Sequence, residues 1–301
     1  MTARPSRFLA GLSALLVATS LSLAPAAARS LAPYKDDLFA YPGLLNSYHD
    51  GDFEVVAYDK ARDIHQRDKE PEREVWGNYV SYQPRSSQED MELKANGRTV
   101  KYMAAGKTKG GAAYVVIYVH GQGGNRFQGM NDVTFGGNFN RIKNLMSRNG
   151  GVYITPDFTD FGAEGTKDVE AIIDAYAANS PGAKIFVACG SMGGILCWNF
   201  AKSPATARKL SGLLFFGSPK DESIFASRTL KDPALRVPIY MGHGSWDKVY
   251  NWEEQVQFFE QFRAKAPGYP VRFTLFETGT HGTPIRMTDW RLILNWMISK
   301  G

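Results

Sequence analysis

The chain has 301 residues, of which 44% are hydrophobic and 22% are charged, and its formal net charge is +5. This composition is that of an ordinary globular protein, and the length suits one large domain or two small ones. No run of Lys and Arg is dense enough to indicate a nucleic-acid partner or an anionic membrane surface.

The first 28 residues have the pattern of a secretory signal peptide. Arg4 and Arg7 precede an apolar stretch at 8–23, and small-x-small cleavage sites follow at 24–26 and 26–28. The stretch is shorter than a comfortable membrane span, which favours a cleaved signal over a retained membrane anchor. We therefore expect an exported protein, periplasmic or extracellular, without a stable membrane span after the signal is removed.

Residues 29–94 form a polar segment with short strand-like pieces at 53–58 and 76–82. We expect an N-terminal extension that packs on the core and supplies edge strands. Asn96-Gly97 is a typical hairpin turn between two strand-like runs. It predicts the antiparallel start of a mixed sheet.

From residue 112 onward, apolar strands alternate with amphipathic helices. Continuous apolar strands such as 112–119 indicate burial on both faces of a sheet. Strand–helix alternation predicts parallel βαβ units, so the predicted fold is α/β with a mostly parallel central sheet and helices on both faces. We assign residues 95–301 to one catalytic domain, in which the connection 218–237 is too short for a large cap.

Residues 184–194, KIFVACGSMGG, combine a short apolar strand, a tight turn and the start of a helix. Such a turn lifts Ser191 out of the strand and exposes its hydroxyl at the carboxyl edge of the sheet. An alcohol becomes a nucleophile when a base takes its proton and a carboxylate orients that base. The attacked carbonyl also needs N–H donors for the oxyanion.

His281 is the predicted base, because it follows the last strand and precedes the last helix, on the same side as Ser191. His49 and His65 lie in the polar N-terminal segment and are predicted to be surface residues. His243 lies in a Gly-His-Gly turn and is predicted to hydrogen-bond locally.

Asp247 is the predicted carboxylate, since it follows the strand before the last at the same edge. Asp221 is the competitor one strand earlier, but its context is that of a turn former or helix cap.

The oxyanion donors are predicted to be the backbone N–H groups of Met192 and Gln122. His120 and Gly121 end the first long strand and shape the loop beside Ser191. The alternative for HGQGG (residues 120–124) is a phosphate-binding glycine loop, but it lacks the P-loop lysine and the G-x-G-x-x-G spacing.

Cys189 and Cys197 are the two cysteines of the sequence, and they flank the serine turn. Export would permit a disulfide, but two cysteines are not a disulfide framework, and neither belongs to a CxxC motif. We predict that both are small, buried apolar residues.

Four separated motifs, HGQGG, GSMGG, GHGSWDKV and GTHG, occur in an order that resembles the α/β-hydrolase family of serine esterases and lipases. The resemblance covers about residues 95–300. It implies that Ser191 is the nucleophile, His281 the general base and acid, and Asp247 the orienting carboxylate. Gly193 matches the second glycine of the usual G-x-S-x-G turn, Gly190 stands directly before the serine as a further residue that shapes the turn, and Cys189 replaces the first glycine.

Three functions remain open from the sequence. The first is a serine hydrolase that cleaves a small-molecule carboxylic ester or thioester through an acyl-enzyme. The second is a serine peptidase or amidase on the same fold, and the third is an exported binding protein without catalysis. We predict the first, with no metal and no cofactor. Pocket candidates are Phe127, Trp246, Tyr250 and the loop 157–165.

Overall fold

A computed structural model describes residues 1–2 and 30–300. The predicted signal peptide therefore lies outside the described residues, apart from Met1 and Thr2. Within the described chain, no helix is long and apolar enough to cross a membrane.

The described chain contains one 10-stranded sheet and a separate two-stranded ribbon. The sheet strands are β1 (Leu44–Tyr48), β2 (Phe53–Ala57), β5 (Gln88–Ala95), β6 (Arg98–Gly106), β7 (Tyr114–Val119), β8 (Val152–Pro156), β9 (Lys184–Gly190), β10 (Gly212–Phe216), β11 (Ile239–Gly244) and β12 (Val271–Glu277), and the ribbon strands are β3 (Asp68–Lys69) and β4 (Glu74–Val75). The α-helices are α1 (Asp36–Phe39), α2 (Asn138–Arg148), α3 (Ala163–Asn179), α4 (Gly194–Lys202), α5 (Pro204–Ala207), α6 (Arg228–Lys231), α7 (Trp252–Lys265), α8 (Thr283–Met287) and α9 (Trp290–Ile298).

The strand order across the sheet is β1-β2-β12-β11-β10-β9-β7-β8-β6-β5. The strands from β2 to β8 in this order pair in parallel, whereas β1, β6 and β5 add antiparallel pairings at the two ends. The hairpin predicted at Asn96-Gly97 joins β5 to β6, and both turn residues have positive φ. Because parallel strands end at one edge, the loops after β7, β9, β10, β11 and β12 meet there.

The core has two layers, one on each face of the sheet. Alternate residues of a strand point to opposite faces, so Ile117 of β7 packs with the layer of α3, α4 and α7, and Val116 packs with the layer of α2 and α9. The central strands β7, β8, β10 and β11 are buried on both sides, as their continuous apolar runs predict. The predicted mostly parallel sheet with helices on both faces is confirmed.

The N-terminal segment adds strands β1 and β2 beside β12, the last strand of the chain. It is also joined to helix α8 by a buried ion pair between Arg286 and Asp68, and the same guanidinium donates to the Asp63 carbonyl oxygen at 2.7 Å. Removing one partner of a buried ion pair lowers the free energy of unfolding by several kcal/mol, because the other charge stays buried without a partner. The segment therefore supports the helix that follows His281.

Two predicted elements differ in the structure. Residues 76–82 do not form a strand but turns, in which the Tyr79 N–H donates to the Trp76 carbonyl oxygen and the Val80 N–H to that of Gly77. These local hydrogen bonds occupy backbone N–H and carbonyl groups that would otherwise pair with a neighbouring strand. The last helix, expected directly after His281, is divided into α8 and α9, because the Asp289 side chain caps the N-terminus of α9.

Candidate active site

Ser191 lies at a strained turn between β9 and α4. Its φ is 50°, a left-handed conformation that is uncommon for a residue with a side chain. A side chain at either of the glycine positions near Ser191 would clash with its surroundings. A Cβ at Gly190 would lie 2.6 Å from the Tyr118 hydroxyl, and one at Gly193 would lie 2.7 Å from the His120 carbonyl oxygen. The close packing of this turn explains the small residues on both sides of the serine.

Cys189 and Cys197 form a disulfide, so the prediction of two unpaired apolar cysteines is wrong. Both residues are fully buried, as predicted. Cys189 points from β9 towards the face that α4 covers, and Cys197 points back from α4, so their Cα atoms lie 6.3 Å apart, within the range that a disulfide spans. The bond connects the strand before Ser191 to the helix after it.

Ser191, His281 and Asp247 form one chain of hydrogen bonds. His281 Nε2 lies 2.9 Å from Ser191 Oγ, and His281 Nδ1 lies 2.8 Å from Asp247 Oδ2. A carboxylate only accepts, so Nδ1–H donates to Asp247 and the neutral ring can accept the serine proton at Nε2. The loops after β9, β11 and β12 bring the three side chains together. This arrangement can move a proton from the hydroxyl to the imidazole.

The Asp247 carboxylate is fully buried and accepts several hydrogen bonds. Oδ1 accepts from the backbone N–H groups of Val249 at 2.7 Å and Tyr250 at 3.3 Å, and Oδ2 accepts from His281. Burial alone would raise the pKa of Asp247, but the hydrogen bonds from His281 and Val249 outweigh it and hold that pKa below its usual range. The carboxylate therefore stays ionised and can stabilise a cationic His281.

His243 is a second histidine beside the same carboxylate, which the sequence indicated only as a local hydrogen-bonding residue. Its Nε2 lies 3.1 Å from the Tyr250 carbonyl oxygen and 3.3 Å from Asp247 Oδ2. Because both partners are acceptors, Nε2 carries a proton. Burial lowers the pKa of His243, so it remains neutral near pH 7. It fixes the loop that carries Asp247.

The loop after β7 lies against the serine. A Cβ at Gly121 would lie 2.7 Å from Ser191 Cβ, so Gly121 allows the closest approach of this backbone to the nucleophile turn. Gln122 follows it directly, and Met192 is the first residue after Ser191 in the turn. Of the two residues predicted to supply oxyanion donors, Met192 follows Ser191 directly in the chain, and Gln122 lies in the β7 loop that packs against Ser191.

His120 shapes this loop through its ring. Its Nδ1–H donates to the Gly121 carbonyl oxygen at 2.8 Å, and the ring stacks on Phe158 with centroids 4.4 Å apart. Burial lowers the pKa of His120, although the bond to Gly121 opposes the shift. Phe158 and Phe161, from the predicted pocket loop 157–165, therefore pack around His120.

Gly217, after β10, is a site residue that sequence reasoning missed. Its φ is +53°, and a Cβ there would lie 2.8 Å from the His281 carbonyl oxygen and 3.5 Å from Asp247 Oδ2. The sequence signal that could have identified it is its position directly after the apolar strand run LLFF, where a glycine indicates a tight turn. The residue lets the β10 loop pass beneath the histidine–aspartate pair.

Tyr250 is a half-buried residue in contact with two members of the candidate site. Its ring centroid lies 5.8 Å from that of His281. Burial raises the pKa of the Tyr250 phenol, and hydrogen bonding with the Ser191 side chain offsets this only in part. The Tyr250 ring therefore lies on the side of the candidate site that holds His281.

The surroundings of the site include exposed aromatic residues and a cavity. Trp246, next to Asp247, is 62% exposed, and Phe127 is 50% exposed. A cavity of ≈ 260 Å³ includes both chain neighbours of His281 in its lining, together with Tyr58, Ile64 and Phe135.

The remaining candidates lie in other environments. Asp221 accepts from the Ser223 N–H at 2.9 Å as a cap and pairs with Lys202 at 2.5 Å, as predicted for a capping residue. His49 and His65 pair with surface glutamates. Among the described residues, no group of three or more His, Cys, Asp or Glu side chains could hold a metal ion.

The parallel sheet, the tight serine turn and the three converging loops define an α/β-hydrolase fold. A serine hydrolase homologue from Coxiella burnetii is 17% identical over 70% of this chain and 96% of its own, with a TM-score of 0.50. An esterase from Pyrococcus furiosus is 16% identical over 73% and 96%, with a TM-score of 0.52. An acylaminoacyl peptidase from Pyrococcus horikoshii is 14% identical over 69% of this chain and 41% of its own, with a TM-score of 0.51.

No protein-family model matches the chain, and no curated protein matches it. At identities this low, structural likeness shows the fold alone. The chain thus has the α/β-hydrolase fold, and the resemblance stated from the four motifs is confirmed at that level.

Proposed function

We propose that the protein is a serine hydrolase that cleaves a small-molecule carboxylic ester or thioester through an acyl-enzyme. The observation that carries this proposal is the hydrogen-bonded chain from Ser191 through His281 to Asp247, with 2.9 Å and 2.8 Å between the bonded atoms. A serine, a histidine and a carboxylate in this order activate a hydroxyl for attack on a carbonyl.

In this mechanism Ser191 Oγ attacks the carbonyl carbon while His281 Nε2 takes the hydroxyl proton. Asp247 stabilises the imidazolium, and the N–H groups of Met192 and Gln122 donate to the oxyanion. His281 then gives its proton to the leaving-group oxygen or sulfur, and the acyl-enzyme remains. Water then attacks the acyl carbon while His281 Nε2 takes its proton, and His281 returns that proton to Ser191 Oγ as the acyl–oxygen bond breaks, which releases the acid and restores Ser191.

A fluorophosphonate probe, which phosphonylates activated serines, tests the proposal directly. We expect the wild-type protein to be labelled at Ser191, as located by peptide mass spectrometry. Ser191→Ala should abolish both labelling and ester turnover, whereas Ser86→Ala, at a serine in the polar N-terminal segment, should retain both. An unlabelled, folded wild-type protein would refute the assignment, as would labelling that persists in Ser191→Ala.

A peptidase or amidase would use the same atoms, and the acylaminoacyl peptidase of similar fold supports this as the second candidate. The two reactions differ in the leaving group, which is an amine in the second. Turnover of a p-nitrophenyl ester against a peptide p-nitroanilide separates them. We expect the ester to be the preferred substrate.

We also propose that the protein is exported to the periplasm or the extracellular space. Arg4 and Arg7, followed by the apolar stretch 8–23, support this proposal. The disulfide between Cys189 and Cys197 supports it independently, because such bonds persist in oxidising compartments. N-terminal sequencing of the natural protein should give a chain that begins after residue 26 or 28, and an intact Met1 would contradict a cleaved signal.

A further inference from the structure

We propose that the Tyr250 hydroxyl is a further catalytic group, which donates a hydrogen bond to the leaving-group oxygen as the acyl-enzyme forms. This inference rests on the proposed ester hydrolysis and assigns a part to a residue outside the Ser191–His281–Asp247 chain. It starts from the contacts of Tyr250 with the base and with the loop that orients the base.

Three contacts hold Tyr250 in place. Its N–H donates to Asp247 Oδ1 at 3.3 Å, and its carbonyl oxygen accepts from His243 Nε2 at 3.1 Å. Its ring lies beside that of His281, with centroids 5.8 Å apart. The backbone of Tyr250 is thus tied to the same loop that orients the base, so the phenol is positioned before substrate binds.

The phenol can donate to an oxygen at the reaction centre. The Ser191 hydroxyl has one proton, and donation to His281 Nε2 at 2.9 Å commits it. The Tyr250 phenol lies beside this pair, since its ring centroid is 5.8 Å from that of His281 and hydrogen bonding with Ser191 is one influence on its pKa. A protonated phenol is a donor, so its proton is available to an oxygen that enters the site.

The arrangement of the site indicates which oxygen this is. The carbonyl oxygen of the substrate is expected on the side of Gly121, where the Gln122 and Met192 N–H groups are predicted to hold it. The leaving-group oxygen must lie near His281 Nε2 to receive its proton, and Tyr250 is on the side of His281. The proton passes from Ser191 to His281 and then to the leaving oxygen, while Tyr250 shares its own proton and keeps it.

Tyr250→Phe removes the hydroxyl and keeps the ring and the backbone contacts. Ethyl acetate and p-nitrophenyl acetate form the same acyl-enzyme, so their kcat/KM values compare acylation with a poor and a good leaving group. We expect kcat/KM for ethyl acetate to fall by about 10- to 100-fold, the range of one strong hydrogen bond. For p-nitrophenyl acetate it should fall by less than about 3-fold, because a stable leaving anion needs little help.

Fluorophosphonate labelling of the same variant provides a second readout, since fluoride leaves without a proton. Tyr250→Phe should be labelled at close to the wild-type rate, which shows that the fold and the nucleophile are intact. Tyr48→Phe, at an exposed tyrosine of β1, is the matched control and should leave kcat/KM unchanged for both esters.

Equal losses for the two esters would place Tyr250 on the oxyanion or in a structural role and would overturn the inference. An unchanged rate with ethyl acetate would also overturn it. Both results would leave the proposed hydrolase intact as long as Ser191 is labelled. A wild-type protein that is neither labelled nor active would instead remove the proposed function, and this inference with it.

Discussion

Gly121 offers a direct test of how closely the β7 loop must approach the nucleophile. In Gly121→Ala the new Cβ would lie 2.7 Å from Ser191 Cβ, 3.1 Å from the Gly190 carbonyl oxygen and 3.3 Å from Ser191 Oγ. Carbon atoms in contact normally lie about 3.5–4.0 Å apart. Either the loop or Ser191 must therefore move by about 1 Å.

A displacement of about 1 Å at a reacting group costs on the order of 100-fold in rate. We expect kcat/KM for p-nitrophenyl acetate and the rate of fluorophosphonate labelling to fall together by about this factor. The overpacking should also lower the free energy of unfolding by about 1–3 kcal/mol, as measured by denaturant unfolding.

Gly77→Ala is the matched control for Gly121→Ala, because a Cβ at Gly77 meets no atom within 4 Å. It should change neither the activity nor the stability. If Gly121→Ala keeps its activity within about 3-fold while remaining folded, the loop can yield without displacing Ser191. The close packing described here would then have no part in positioning the nucleophile.

Three further predictions concern the Asp247 carboxylate, the buried His120 and the disulfide. Asp247→Asn should lower kcat by about 10⁴-fold, because an amide can stabilise the wrong tautomer of the base. The lowered pKa of His120 means that the unfolded chain binds a proton before the folded chain does. The free energy of unfolding should therefore fall as the pH drops below about 6.5, by at most about 1.4 kcal/mol per pH unit for this group, and His120→Asn should reduce that slope in denaturant titrations. Replacing Cys189 and Cys197, 8 positions apart, with alanine should cost about 2–3 kcal/mol of stability.

Each of these predictions has a control within the chain. Asp221→Asn alters the competing aspartate and should leave kcat unchanged, so an equal loss there would contradict the assignment of Asp247. His65→Asn, at an exposed histidine, should not reproduce the change in slope expected for His120→Asn. A reducing agent should lower the melting temperature of the wild type but not of the double cysteine variant. Equal sensitivity of the two proteins would contradict a stabilising disulfide.

The strands and the serine turn could be predicted because their determinants are local. Strands buried on both faces have continuous apolar runs, such as Tyr114–Val119, and the glycines around Ser191 follow from the steric needs of one tight turn. Asp247 could be distinguished from Asp221 as the candidate carboxylate because the residues around Asp221 are typical of a turn former or helix cap.

The missing features depend on distances in space. The disulfide forms because β9 and α4 bring Cys189 and Cys197 together. The number of positions between two cysteines does not predict their distance in the fold. The contact of His243 with Asp247 depends on how the loop after β11 folds back. Gly217 belongs to the site only because the end of β10 meets the loops after β11 and β12, so its role follows from topology and not from a motif.

The pairing of β2 with β12 has a consequence for how the chain folds. Phe53 pairs with Phe273, and nearby Thr278 bonds to the Tyr58 carbonyl oxygen across 220 positions. During synthesis β2 emerges from the ribosome long before β12 exists, so the edge of β2 that does not face β1 must wait with unpaired backbone groups. Such long-range pairing slows folding and leaves intermediates open to aggregation. Completion of the sheet, and with it the loop that holds His281, therefore depends on the last part of the chain to be made.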